Sequence, residues 1–161
     1  MSIPILILLG SNLGDRQENL DRARQEISRF VGQIITTSSV YKTAAWGNTQ
    51  QPDFYNQVIE IRSSHDPHKL ILATQKIELT MGRTRKEKWG PRLIDIDLLF
   101  YGDSIVSKEN LTVPHPEIPN RRFTLLPLAE VAPDFIHPLL KKSVLQLLAD
   151  CKDDLPVEKI V

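Results

Sequence analysis

The chain has 161 residues, with twenty Lys and Arg balanced by twenty Asp and Glu, 41% hydrophobic residues and one cysteine. These proportions exclude collagen-like, disordered and membrane-embedded classes. A formal charge of zero argues against a protein that coats nucleic acid or a membrane through bulk charge. A chain of this length buries about two-thirds of its unfolded surface, so a core forms without disulfide staples, and the lone Cys151 fits a reducing compartment. The apolar run from Ile3 to Leu9 is too short to span a bilayer and has no basic segment before it. The expectation is one cytoplasmic domain over residues 1–161, monomeric, with no nucleic-acid or membrane partner.

Ile3 to Leu9 reads as a strand buried on both faces, ending at the turn Gly10-Ser11-Asn12-Leu13-Gly14. Asp15 and Glu18 resemble a capping box, and Leu20, Ala23, Ile27, Phe30 and Val31 fall on one face of the helix that follows. Gly32 closes it. A second strand is predicted from about Ile34 to Thr43 and a third from Phe54 to Arg62, separated by the loop Trp46–Asp53. Asp66-Pro67 starts a helix with Leu70, Ala73, Ile77 and Met81 as its buried stripe, closed by Gly82. From Leu93 to Tyr101 a fourth strand alternates Ile94, Ile96 and Leu98 with Asp95 and Asp97. The order strand, helix, strand, strand, helix, strand is that of an α+β, ferredoxin-like βαββαβ core. Six of the eleven prolines then crowd between Pro114 and Pro138, giving a Pro-rich C-terminal extension with short helices near residues 123–130 and 143–149.

Asp95-Ile96-Asp97 is the sharpest local feature. Carboxylates at i and i+2 of a strand share a face, about 7 Å apart at Cα. Hard divalent cations suit such a pair, because Mg²⁺ takes a few carboxylates plus substrate phosphates; a solvated strand face carrying two charges is the alternative that the pair alone leaves open. Between Arg83 and Arg92, five cations meet one anion, so this neutral chain concentrates four positive charges just before two aligned carboxylates. Guanidinium groups suit bidentate phosphate contacts. A mobile lid over residues 82–92, ordering around a bound triphosphate, is the expectation for this loop. There is no Walker-type phosphate loop, no dinucleotide fingerprint and no nucleophile elbow. His65 and His68 read as surface residues, His137 as a surface or capping residue, and Cys151 as a small core or surface residue.

The segment from Lys88 to Leu99, KWGPRLIDIDLL, resembles the signature of the 6-hydroxymethyl-7,8-dihydropterin pyrophosphokinase family of folate biosynthesis. Leu9–Gly14, Tyr41–Thr43, Gln51–Asn56, Gln75 with Glu78, Gly82-Arg83, Leu111–Pro116 and Asn120–Phe123 match further blocks in the family's order, from about residue 5 to 149. The resemblance implies transfer of diphosphate from ATP to the pterin hydroxymethyl group, releasing AMP. It implies that Asp95 and Asp97 ligate two Mg²⁺ ions and that Arg83 and Arg92 support the transferring group. Gln75, Glu78, Arg85, Trp89, Arg92, Thr112, His115 and Arg121 would line the ATP site. Thr43 and Asn56 would read the pterin edge while Phe54 and Phe123 stack on its faces. Ala44-Ala45 stands where many relatives have two prolines, Phe54 where Tyr is frequent, and Asn110 where some members carry Arg. A rival reading is an RNA-binding module on the same strand–helix order. Aromatics at 6%, and two aspartates on a central strand face, argue against it.

Overall fold

The computed structural model describes residues 3–44, 52–82 and 93–160. Strand β1 (Ile5–Ser11) is buried at every position and leads into helix α1 (Arg16–Phe30). The Asp15 carboxylate caps α1 by accepting the Glu18 N–H at 3.1 Å. Leu20, Ala23 and Ile27 of α1 are buried as expected, but Phe30 is 56% exposed. The buried stripe runs through Leu20, Ala23, Ile27 and Val31, at i+4 from Ile27, so Phe30 lies one residue off that line and outside the core. Gly32 lets the chain pass the end of the third predicted strand, since a Cβ there would stand 2.2 Å from the Arg62 carbonyl oxygen.

The predicted second strand is broken into β2 (Gln33–Thr37) and β3 (Tyr41–Thr43). Both pair with β4 (Phe54–Arg62). Ser38 causes the break, because its hydroxyl accepts the Val58 N–H at 2.9 Å and a side chain thereby replaces backbone in the ladder. Helix α2 (Pro67–Thr80) is capped by Asp66, which accepts the Lys69 N–H at 2.8 Å. Strand β5 (Asp95–Tyr101) follows, then the hairpin β6 (Val106–Lys108) and β7 (Leu111–Val113), a 3-10 turn at Ile118–Asn120, α3 (Arg122–Val131), α4 (Val144–Asp150) and β8 (Val157–Lys159). The hairpin, the 3-10 turn and β8 have no counterpart in the sequence reading; α3 and α4 do.

The main sheet is antiparallel in the order β5-β1-β4-β3-β8, with β2 beside β4. Helices α1 and α2 cover one face, packing on Ile5, Ile7, Leu9, Ile59 and Ile61. The other face, carrying Leu6, Leu8, Val58 and Phe100, is covered by α3 and α4. This is an α+β architecture with two apolar layers. Glu130 latches α3 to the β3 side: it accepts the Tyr41 hydroxyl at 2.7 Å and the Ser39 N–H at 2.8 Å. Burial, then the neighbouring Glu130 carboxylate, pushes the Tyr41 phenol up to about 12.

Of the two uses expected for His137, surface or capping, the structure shows the second: the residue is buried and caps a turn. Its Nδ1 accepts the Leu139 and Leu140 N–H groups, and its ring meets Phe100 edge-on at 5.4 Å. Cys151 is half-buried against the α3–α4 layer.

Candidate active site

Cross-strand register determines which side chains meet at the carboxyl end of β1. Gly10 stands opposite Asp95 of β5 on one side and opposite Asn56 of β4 on the other, and Asn56 stands opposite Tyr41 of β3. Directly opposed residues of an antiparallel ladder point to the same face, and strands lie about 4.8 Å apart. The Asp95 carboxylate and the Asn56 amide therefore share a face about 10 Å apart, with only a glycine between them. A Cβ at Gly10 would stand 3.0 Å from Asn56 Oδ1 and 3.6 Å from the Phe54 ring. The Asn56 and Phe54 side chains therefore pack close over the glycine, which has no side chain to displace them.

Asn56 is 2% exposed and its Nδ2 has no hydrogen-bond partner among the described residues. A buried amide donor left unpaired costs about 1–3 kcal/mol, so an acceptor on a bound ligand would be favoured here. Phe54 lies two residues before Asn56 on the same strand face, and Phe123 caps this layer from the first turn of α3. The Arg121 guanidinium lies 5.7 Å from the Phe123 ring centroid. Thr43, opposite Phe54, is buried and donates its hydroxyl to the Pro156 carbonyl at 3.2 Å, so it faces the site as an acceptor. The turn after β1 is tied to the entry of β4: Asn12 Nδ2 donates to the Pro52 carbonyl and Arg16 to the Asp53 carbonyl, at 3.2 and 2.8 Å. Nothing in the sequence patterning marked Asn12 and Arg16 as supports, although Asn12 lies within the Gly10–Gly14 turn and Arg16 just after it.

A second concavity of about 320 Å³ opens at the outer edge of β5, between α2 and the β6–β7 hairpin. Gln75 and Glu78 of α2, Asp97 of β5, Thr112 of β7 and His115 all line it, so five residues scattered over forty positions converge. Asn110 lines it too. Burial, with the Arg121 charge adding to it and Glu117 opposing, holds the His115 imidazole below its usual range. His115 Nδ1 accepts the Glu117 N–H at 3.1 Å, which leaves Nε2 as the protonated donor in the neutral ring. Asp95 and Asp97 are both half-buried. Arg83, Arg85, Trp89 and Arg92, and with them the expected lid, lie outside the described residues.

His137 is depressed by burial as well. An imidazole whose folded pKa lies below its unfolded value of about 6.5 takes up its proton more readily in the unfolded chain, so stability is full above that pH and falls as pH drops through the window beneath it. Urea unfolding is expected to show a falling free energy from pH 7 to 5, above the range where carboxylates titrate. His137→Asn and His115→Asn, which keep an acceptor but cannot titrate, should each flatten part of that slope. A pH-independent midpoint between 7 and 5 would contradict the assignment.

The family model for 7,8-dihydro-6-hydroxymethylpterin-pyrophosphokinase matches residues 6–133. The chain belongs to this pyrophosphokinase family. Its role is that of a pyrophosphokinase of folate synthesis. It is similar to the 2-amino-4-hydroxy-6-hydroxymethyldihydropteridine pyrophosphokinase of Synechocystis, at 41% identity over 152 residues, covering 92% of this chain and 77% of that one. The Haemophilus influenzae enzyme of the same name is 42% identical over 137 residues, covering 84% and 86%. Among solved structures, a Plasmodium falciparum HPPK-DHPS wild-type chain with pterin and p-hydroxybenzoate superposes with a TM-score of 0.74 at 17% identity, a likeness of fold. That match covers 92% of the pyrophosphokinase chain described here but only 42% of the Plasmodium chain, so this chain spans less than half of that protein's length. The RNA-binding reading gains nothing from these comparisons. No helix among the described residues is long and apolar enough to cross a membrane.

Proposed function

We propose that the enzyme transfers the terminal diphosphate of ATP to 6-hydroxymethyl-7,8-dihydropterin, giving the pterin diphosphate and AMP. The row Asp95–Gly10–Asn56 carries this reading, since it sets a carboxylate and a buried, unpaired amide donor on one face with only a glycine between them. Asn56 and Thr43 read the polar edge of the pterin, while Phe54 and Phe123 cover its faces, an arrangement that planar heterocycles favour. Gln75, Glu78, Thr112 and His115 hold the nucleotide in the β5-edge cavity, with Asp97 on its lining, and Arg121, beside Phe123, reaches towards it from outside that lining. Arg83, Arg85, Trp89 and Arg92 complete the set as the sequence resemblance places them.

The carboxylates fit a hard cation. Two oxygen-bearing side chains share a strand face, and no group of three His, Cys, Asp or Glu among the described residues is placed to enclose an ion by itself. That is the mode in which Mg²⁺ retains substrate phosphates in its sphere. Asp95 and Asp97 would hold two Mg²⁺ ions, whose chemistry is to neutralise the triphosphate and acidify the accepting hydroxyl. The remaining work falls to the protein: the aromatic pair orients the hydroxymethyl group, Asn56 fixes its depth, and His115 Nε2–H donates towards the phosphates. The hydroxymethyl oxygen bonds to the β-phosphorus as that phosphorus parts from the oxygen retained by AMP. A ferredoxin-like strand connection, which the order β5-β1-β4-β3 supports, a single domain over residues 1–161, a monomeric state and a cytoplasmic site of action belong to the same reading.

Phosphorus NMR of a reaction with ATP, Mg²⁺ and the hydroxymethyl dihydropterin should show AMP and a pterin diphosphate. ADP with a pterin monophosphate would refute the proposal. In the same assay Asn56→Ala should weaken pterin binding roughly tenfold, about 1.4 kcal/mol, with ATP binding retained.

A further inference from the structure

Glu78 lies on the apolar stripe of α2, with Leu70 and Ile77, and is 4% exposed. A carboxylate there is costly unless it is hydrogen-bonded. Its Oε2 accepts the backbone N–H of Ile96 at 2.8 Å. Strand β5 is the edge of the sheet, so the N–H groups that point away from β1 have no strand to receive them. Ile96 is the residue between Asp95 and Asp97. The bond therefore holds the Asp95–Ile96 peptide, inside the three-residue stretch that carries both aspartates.

The Glu78 carboxylate does not join the aspartates as a third ligand, because no group of three such side chains among the described residues is placed to hold an ion. We infer that Glu78 is a positioning residue for the aspartate pair, acting through the Ile96 amide, in addition to lining the nucleotide cavity. The inference deepens the proposed function and rests on its assignment of Asp95 and Asp97 as metal ligands. Groups that orient metal ligands typically contribute 10- to 100-fold in metal affinity.

Mn²⁺ binding to the full-length protein with a non-hydrolysable ATP analogue, followed by electron paramagnetic resonance, reads the effect without turnover. Glu78→Ala should weaken Mn²⁺ roughly tenfold or more. It should also speed exchange of the Ile96 amide relative to its neighbours in β5. Glu78→Gln, whose amide oxygen still accepts that N–H, should restore most of both. If Glu78→Ala does not stay folded, the Gln variant alone decides: wild-type-like Mn²⁺ affinity and Ile96 protection support positioning, and weakened binding overturns it. Unchanged Mn²⁺ affinity in Glu78→Ala, with Asp97→Asn still abolishing binding, overturns the Glu78 role and leaves the metal assignment standing. If Asp97→Asn itself leaves Mn²⁺ binding intact, the metal assignment fails and this inference fails with it.

Discussion

Asp97→Asn should lower turnover on the order of 10²- to 10³-fold, equivalent to about 3–4 kcal/mol of lost transition-state stabilisation. The substitution keeps the shape of the side chain and removes its charge. Asp97 lies where the two subsites meet: it lines the β5-edge cavity, and two residues before it Asp95 joins the row that runs through Gly10 to Asn56. An amide oxygen binds Mg²⁺ weakly, so the Mg²⁺ concentration needed for half-maximal rate should rise along with the loss of turnover. Folding should be little affected, by less than about 1 kcal/mol, because the side chain is only half-buried on an edge strand. Steady-state kinetics across a Mg²⁺ titration, paired with urea unfolding, separates the two readouts. Near-normal turnover at ordinary Mg²⁺ would remove Asp97 from the metal site and return the aspartate pair to a solvated strand face.

Phe100→Ala should cost about 3–5 kcal/mol of folding free energy, the range for deleting a large buried aromatic side chain. The ring is fully buried on the face of β5 that meets the C-terminal layer. It packs 4.6 Å from the Phe135 ring, centroid to centroid, and receives the edge of His137. Its removal takes away the contact that joins the sheet to the turn capped by His137, so the layer cannot close over the gap without disturbing those caps. For a domain of this size the loss corresponds to a drop in melting temperature of roughly 10 °C. Phe100→Leu should recover part of it. Because Phe100 lies three residues beyond Asp97 on one strand, a loosened β5 should also raise the Mg²⁺ concentration needed for half-maximal rate. A loss below about 1 kcal/mol in urea would mean that the C-terminal layer is not anchored through this ring.

Local chemistry was legible where it repeats along the chain. The bounds of β4, the caps at Asp15 and Asp66, and the stripe of Leu70, Ile77 and Met81 follow from alternation, 3.6-residue spacing and side-chain acceptors beside the bonds they cap. The opposite facing of Asp95 and Asp97 against Ile94, Ile96 and Leu98 follows from the period of a strand in the same way. The residue blocks from Leu9 to Phe123 also announced the family, because each is short, spaced and chemically specific. Other features belong to the tertiary structure alone. Ser38 breaks a strand that its own neighbours would continue, since the group it bonds is Val58 on the partner strand. Phe30 has the spacing of a buried residue, yet it is Val31, one position on, that continues the stripe of Leu20, Ala23 and Ile27 into the core. Glu78 looks like an ordinary polar position on a helix until the edge of β5 places the Ile96 N–H beside it. The row from Asp95 through Gly10 to Asn56 joins residues up to 85 positions apart in the chain, and only strand register aligns them. Propensity and periodicity act within a turn or a few residues and are written in the sequence directly. Register and edge pairing are decided by burying one whole face against another, a sum over the entire sheet that no single segment carries.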